Sequence, residues 1–508
     1  MSVESRTSCF LTAGLLIALG ACGGSDDNGV NGGSSGSGGV AGTGGSSAGS
    51  GGAGSAGEGG SGGVAGGTGG VAGEAGQAGG TTGGSAGTAG TGATGGTGGN
   101  TGGPPPTFIP HVVDAAASGP AFAAVTDLNN DGKLDILVSM FGQMGFSIPD
   151  GEVRGYLQGA TLDDWTQMSV LPTTAGYRWP NGVTIEDIDN DGDDDVFVPF
   201  GFLTCDAIPM AGPCGALVWI ENAPGGWTIH EIVPDGYELF FHHVAFEDID
   251  NDGIRDAITV GERKPTFGAS IAKVMWFKGT AGGDRFEKTP IEIGDGLGSI
   301  PTAVDLDDDG DLDIISAEFF LPNAASFAWM ENPGDATQPF TRHIITDDVG
   351  PSIQLSLVPD LYGDGVTRAI GANHTNTQDD GNAPESAVYV LDVPAPSAVK
   401  SAGPWSKVKI SEGMISDKSP MFGPMASPGI FGTGDIDGDG DIDVLVSGDG
   451  DPRVYWLRQM GPGQFETHVL EPQLKQAGGM IVVDLNGDGK NELIVTGYEA
   501  NAVRVYER

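Results

Sequence analysis

The chain has 508 residues, 90 of them glycine, and a formal net charge of −45. That charge excludes nucleic acid, whose phosphates would repel it, and electrostatic docking on anionic lipid. So acidic a chain is either disordered or folded around cations that the count leaves out, and this much glycine exceeds what one compact fold uses.

The first residues, MSVESRTSCFLTAGLLIALGAC, carry one basic group at Arg6 and an apolar run from Phe10 to Leu19. The run is too short to span a bilayer as a permanent helix and reads as a signal peptide, residues 1–21. Its end, Leu19-Gly20-Ala21-Cys22, resembles a bacterial lipobox. That resemblance implies lipidation of Cys22; the alternative is an ordinary signal peptide with a chance cysteine. Cys9 would leave with the signal. Cys205 and Cys214 then remain, nine positions apart, and an oxidising compartment makes a disulfide between them the expectation.

Residues 22–106 form the next segment, nearly all Gly, Ala, Ser, Thr and Val up to about Gly103. Such a composition cannot bury enough apolar surface to offset its ordering entropy, so a disordered tether is expected. Its r.m.s. span is roughly 50 Å. Pro104-Pro105-Pro106 stiffens its end.

Residues 107–508 are repetitive. Seven acidic loops start at Asp127, Asp187, Asp248, Asp305, Asp360, Asp435 and Asp484, at spacings of 60, 61, 57, 55, 75 and 49 residues. Each follows a run of small or apolar residues and precedes an apolar, mostly β-branched run such as Val444-Leu445-Val446, so each reads as the hairpin between two strands. A third strand follows (ALVWIEN at 216–222, RVYWLRQ at 453–459) and then a fourth (WTIHEIV from Trp227, FETHVLE from Phe465). Four strands at a period near 57 residues, seven times over, specify an all-β, seven-bladed β-propeller. The last blade lacks its fourth strand, and FIPHVVD, from Phe108 to Asp114, matches the missing one. The ring is therefore expected to close on an N-terminal strand, leaving no unpaired edge.

The loops have metal-ligand spacing. Oxygens at positions 1, 3, 5 and 9, with a carbonyl at 7, can surround one Ca²⁺, and glycine at position 6 permits the sharp turn. Five loops carry the full set: Asp127, Asn129, Asp131, Asp135; Asp187, Asp189, Asp191, Asp195; Asp248, Asp250, Asp252, Asp256; Asp305, Asp307, Asp309, Asp313; and Asp435, Asp437, Asp439, Asp443. A sixth has Asp484, Asn486, Asp488 and Glu492. The flanking strands, and valine at position 12 in the first two loops, exclude an EF-hand. The fifth loop departs, with Tyr362 at position 3 and Arg368 at position 9. It should hold no calcium, with the Arg368 guanidinium standing near Asp360 and Asp364 as a built-in cation. Five to six Ca²⁺ sites are expected.

These loops, FGTGDIDGDGD at 431–441 above all, resemble the FG-GAP/VCBS-type repeats found in the propeller heads of integrin α subunits. The resemblance covers residues 108–508. It implies a seven-bladed propeller with calcium in the hairpin between the first two strands of a blade, and partners on the opposite face. It implies no activity.

Residues that recur in blade after blade are spread around the ring and cannot converge on one ligand. His111, His230, His343 and His468, and Trp219, Trp276, Trp329 and Trp456, are on that ground scaffold. The pattern lapses at Tyr177-Arg178-Trp179 and at Phe240-Phe241-His242-His243. If first strands run from the partner face to the acidic face, these segments meet at the channel mouth. Tyr177, Arg178, Trp179, His242 and His243 are thus the candidate ligand-binding residues, with bulky channel filling as the alternative. No nucleophile elbow or HExxH motif is present. The leading functional expectation is a monomeric, lipid-tethered binding module of the bacterial cell envelope, at the outer membrane or cell surface, recognising a polysaccharide or a surface protein. The competing class is a polysaccharide lyase or hydrolase working at the channel mouth with His242 or His243. A third is a calcium-rigidified spacer.

Overall fold

The structure, a computed structural model, describes residues 103–143, 149–202, 212–264, 269–319, 325–377, 381, 383–416, 418–419, 423–474 and 476–508. The signal segment, Cys22, nearly all of the tether and Cys205 lie outside the described residues. Cys214 is disulfide-bonded.

Seven four-stranded antiparallel sheets form the blades of a propeller. Blade 1 comprises Pro120–Thr126, Asp135–Met140, Glu152–Gln158 and Trp165–Leu171. Blades 2 to 6 repeat it, their first strands at Thr184–Glu186, Phe240–Glu247, Thr302–Val304, Ser352–Val358 and Phe431–Gly434. Blade 7 is built from Ala477–Val483, Glu492–Gly497 and Ala502–Glu507. Its fourth strand is Ile109–Asp114, pairing antiparallel from Ile109 opposite Glu507 to Asp114 opposite Val503. The N-terminal segment closes the ring, as its sequence match implies.

Burial explains the strand pattern. Second strands are buried at every position but Arg263 and Arg368, as in Asp195–Phe200 and Glu492–Gly497. They therefore read as continuous apolar runs rather than alternating ones. Fourth strands are the outer ones and leave Ile109, Val112, Ile344, Val408 and Val469 about half exposed. The core lies between blades, one apolar cluster at each of the seven junctions among the described residues. Trp219, Trp276, Trp329 and Trp456 sit in four of them. Three of these indoles pack on a fourth-strand histidine: Trp219 stacks on His230 at 4.1 Å and Trp329 on His343 at 4.4 Å, and Trp456 lies tilted on His468 at 5.0 Å between centroids. His230 and His343 are also held by Glu221 and Glu331 at 2.8 and 2.7 Å.

Because each acidic loop joins a first strand to a second, the starts of the first strands and the ends of the second strands lie on the other face. The two faces are built on different rules.

Candidate functional site

On the acidic face the loops turn alike at position 4, and the fifth adds a positive φ of 52° at Asp360, its position 1. Position 4 has positive φ in six loops that cover all three residue types used there: Asn130, Asn190 and Asn251 (56°, 61°, 58°), Asp308 (65°), Gly438 (77°) and Gly487 (74°). Gly363 does the same in the fifth loop, at 67°. Only Gly, Asn and Asp visit this region readily, which is why no other residue type stands there. Position 2 is a buried Leu or Ile in all seven loops, from Leu128 and Ile188 to Leu485. It plugs the loop into the junction below.

The carboxylates divide into two groups. Positions 1, 3 and 5 accept from the loop's own backbone. In the first loop the Asp131 amide donates to Asp127 at 3.0 Å and to Asn129 at 2.9 Å, Gly132 donates to Asp127 at 2.7 Å, and Lys133 donates to Asp131 at 3.0 Å. These hydrogen bonds converge the outward oxygens. Position 9 is buried and ties two strands together. Asp443 accepts the Ile436 amide at 3.2 Å and the Gln459 amide, at the far end of the third strand, at 2.7 Å. Asp135, Asp195, Asp256 and Asp313 do the same with their own blades. Burial outweighs these hydrogen bonds and pushes the carboxyls of Asp256, Asp313, Asp443 and Glu492 up to about 7, and those of Asp135 and Asp195 up to about 6. A cation reverses that balance, so its uptake near neutral pH would release protons.

Four loops hold carboxylates that could bind a metal ion: Asp187, Asp189 and Asp195; Asp248, Asp250 and Asp256; Asp305, Asp307 and Asp309; Asp435, Asp437 and Asp443, each set with ligand oxygens within 4.8 Å of one another. Loops one and seven have an amide, Asn129 or Asn486, at position 3. The donor set fits a hard cation. The same oxygens attract basic side chains: Lys278 reaches Asp250 and Asp252, Lys400 reaches Asp307 and Glu331, and Arg458 reaches Asp437 at 2.5 Å. In the fifth loop Arg368 forks onto both oxygens of Asp364 at 2.8 Å and lies over the Tyr362 ring at 4.2 Å. Its charge, through that fork, holds the Asp364 carboxyl down to about 2. Asp360 instead accepts the Gly365 amide at 2.5 Å. The internal cation stands, paired with one of the two expected partners.

On the other face a partly enclosed cavity of about 160 Å³ lies on the ring axis, with residues from the first strand, or the segment just before it, of every blade in its wall. Among the sequence-predicted ligand residues, His242 and His243 line it. The ladder between the first two strands of blade 3 skips both residues, and this bulge turns them to the axis. Burial holds both imidazoles down to about 4, and their mutual proximity adds to this at His242. His242 Nε2 stands 3.6 Å from the buried Glu262 carboxylate.

The other three are placed elsewhere. Tyr177 stacks on Phe200 at 4.7 Å and donates to Glu231 at 2.6 Å. Trp179 has no exposure and φ of 57°, and it packs edge-on to Phe141 at 5.1 Å. Arg178 donates to the Pro213 carbonyl at 3.1 Å. None of the three lines the cavity. The first strand of blade 2 begins only at Thr184, so 177–179 precede it in an irregular segment. Here bulk was a signal for packing under the mouth.

The sequence reading missed a set of residues with a simple address. Counting six residues past position 9 gives Phe141, Gly201, Glu262, Phe319, His374, Asp449 and Tyr498. They stand at or just beyond the ends of the seven second strands. Phe141, Phe319, Asp449 and Tyr498 line the cavity, with Phe202 beside Gly201. His374 Nδ1 is 2.6 Å from the Pro428 carbonyl oxygen, and its Nε2 is 3.7 Å from Asp449. Burial pushes Asp449 up to about 7 and His374 down to about 4. Aligning the seven second strands on position 9 and asking which column varies would have found this set.

Fold and loops together define an all-β seven-bladed propeller whose blades carry one acidic hairpin each. The chain carries FG-GAP-like repeats: the profile of that repeat matches residues 127–198 and 435–495. No curated protein matches the chain. Solved structures with similarity include a thermostable family-43 glycoside hydrolase, at 12% identity over 63% of this chain and 100% of that one, with a TM-score of 0.31. A Trypanosoma rangeli sialidase in complex with sialic acid is 11% identical over 79% of this chain, which spans 57% of the sialidase, with a TM-score of 0.35. A glucose dehydrogenase is 10% identical over 58% of this chain and 90% of that one, with a TM-score of 0.31.

Proposed function

We propose that the protein is a calcium-stabilised binding module, lipid-tethered through Cys22 at the cell envelope, that takes its ligand at the axial cavity. One observation carries this reading. The acidic loops repeat around the ring, whereas the seven equivalent positions at the ends of the second strands are nearly all different, and four of them, Phe141, Phe319, Asp449 and Tyr498, line one cavity. Repetition suits a scaffold; a set that differs at each blade yet meets at one point suits recognition. Calcium, held by the ligand sets at positions 1, 3, 5 and 9 of six loops, would stiffen the hairpins. The ligand is a polysaccharide or a surface protein presented to a monomeric, displayed propeller.

A glycan array and a surface-protein capture, each run with calcium and with chelator, test the reading. Binding that survives Asp449→Asn together with Phe319→Ala would remove the ligand site from the cavity. Two acid–histidine pairs at the mouth, His242 with Glu262 and His374 with Asp449, favour keeping an enzymatic reading as the second. A turnover assay on any captured glycan separates the two, since a binding module returns it unchanged.

A further inference from the structure

One column of the repeat divides the acidic loops. In the third strand, the residue facing position 9 follows from the register. Ala257 faces Phe277 in blade 3, so Asp256 faces Lys278; Val444 faces Leu457 in blade 6, so Asp443 faces Arg458. The same count gives Leu157 in blade 1 and a glutamate in blades 2, 4 and 7, at 221, 331 and 507. In blade 5 the charges are exchanged: Arg368 stands at position 9 and faces Asp392, with its Nε 3.5 Å from the carboxylate.

Directly opposed side chains on one face of a sheet are close enough to interact. The two basic residues use that address to enter their own loops. Lys278 pairs with Asp250, at position 3, and with Asp252, at position 5, the latter at 2.6 Å. Arg458 pairs with Asp437 at 2.5 Å and with Asp439 at 3.5 Å, the same two positions. The Arg458 and Asp437 side chains are only 6% and 3% exposed. Positions 3 and 5 are two of the four side chains that calcium would use. A cation fixed on them must either be pulled away from its partners or stay beside the incoming ion. A unit charge about 5 Å from a divalent ion weakens its binding about tenfold even at the dielectric constant of water.

The other basic side chains near these loops are placed differently. Lys400 and Lys490 touch carboxylates of blades 4 and 7 with side chains 42% and 47% exposed, so solvent can take them up. In blade 2, Arg255 and Arg285 donate to the Asp187 and Asp189 carbonyls at 3.3 and 2.9 Å, and Arg285 stays 3.9 Å from the Asp189 carboxylate. In blade 1, Lys133 donates to the Gly159 carbonyl at 2.7 Å.

We propose that Lys278 and Arg458 are built-in counter-ions that grade the loops for calcium, making those of blades 3 and 6 the weak sites and those of blades 1, 2, 4 and 7 the tight ones. This rests on the calcium reading and ranks the sites within it.

The test titrates the decalcified full chain with calcium chloride by calorimetry and follows melting in calcium and in chelator. Wild type should show two classes of site. Lys278→Leu, which copies Leu157 of blade 1, should move one site from the weak class to the tight one, a gain of about tenfold in affinity. Arg458→Leu should do the same in blade 6. Each should also lower the melting temperature in chelator, because loop carboxylates lose their cation, and widen the gap between calcium and chelator. Lys409→Leu is the control: it takes an equal charge from Glu385 and Glu412, neither of them in an acidic loop, and should leave both classes as they are. If Arg458→Leu does not fold, Lys278→Leu carries the test, since that side chain is 29% exposed. A single class of sites unmoved by Lys278→Leu, or equal strengthening by Lys409→Leu, overturns the grading and keeps calcium. No calcium bound by any of these chains removes both readings.

Discussion

The two faces of the ring make opposite use of the same repeat. On the acidic face, seven loops share a buried position 2, a turn residue at position 4, glycine at position 6 and, in five of them, a strand-pinning aspartate at position 9. On the cavity face, the equivalent positions of the seven blades are two phenylalanines and single Gly, Glu, His, Asp and Tyr residues. What recurs is set by the backbone's needs and is paid for at every blade. What differs is free of that demand and can be assigned to a ligand.

Chelation should break the acidic face most severely. With Ca²⁺ at about 1 mM and a site Kd near 10⁻⁴ M, each ion stabilises by roughly 1.4 kcal/mol, so six give about 8 kcal/mol. The melting temperature should fall by on the order of 10 °C in excess chelator. An unchanged melting curve would sink the calcium reading.

Within one loop, positions 3 and 9 should part company. Asp443→Ala leaves the Ile436 and Gln459 amides without an acceptor and should cost about 2–4 kcal/mol with or without calcium. Asp437→Ala removes the partner of Arg458 and the acceptor of the Asp439 amide, and its cost should grow when calcium is present. Denaturant melts of both variants in calcium and in chelator check this.

The cavity face should respond to pH instead. His242 and His243 sit near 4, below the usual 6.5 of the unfolded chain. Their stabilisation is complete above 6.5 and is lost as pH falls toward 4, by up to about 3 kcal/mol each. Asp449, raised to about 7, has the opposite sign: it destabilises the fold above that pH, and the cost is relieved on acidification. The wild-type curve is therefore a sum. His242→Gln should flatten its acid limb, and an acid limb identical to wild type would contradict the buried neutral imidazole.

The smallest expected effect sharpens the comparison inside the acidic face. Arg368→Asp alone should add no calcium site, because Tyr362 still occupies position 3. Tyr362→Asp with Arg368→Asp should raise the calcium stoichiometry by one, read by equilibrium dialysis.

The acidic face and the fold were legible in the sequence because their causes are local or periodic. Asp-x-Asp spacing, an αL residue at position 4 and Gly at position 6 act within nine residues, and the 57-residue period counted the blades. Even ring closure was local information, since FIPHVVD repeats a known strand type. The cavity face was legible only in part. His242 and His243 stood out by breaking the repeat, and they do reach the axis. Tyr177 and Trp179 broke it equally and went into the interior, because a side chain's direction there depends on where the strand begins and on a bulge, and neither is written in residue type. Glu262, His374 and Asp449 lie more than 60 residues apart in sequence and become neighbours of one cavity only when the ring closes. The sequence by itself thus determined the repeat, the turns and the cation-seeking oxygens, since each is decided by a residue's nearest neighbours along the chain. Only the tertiary structure decided which of the non-repeating residues share a cavity, because that depends on all seven blades being in place at once.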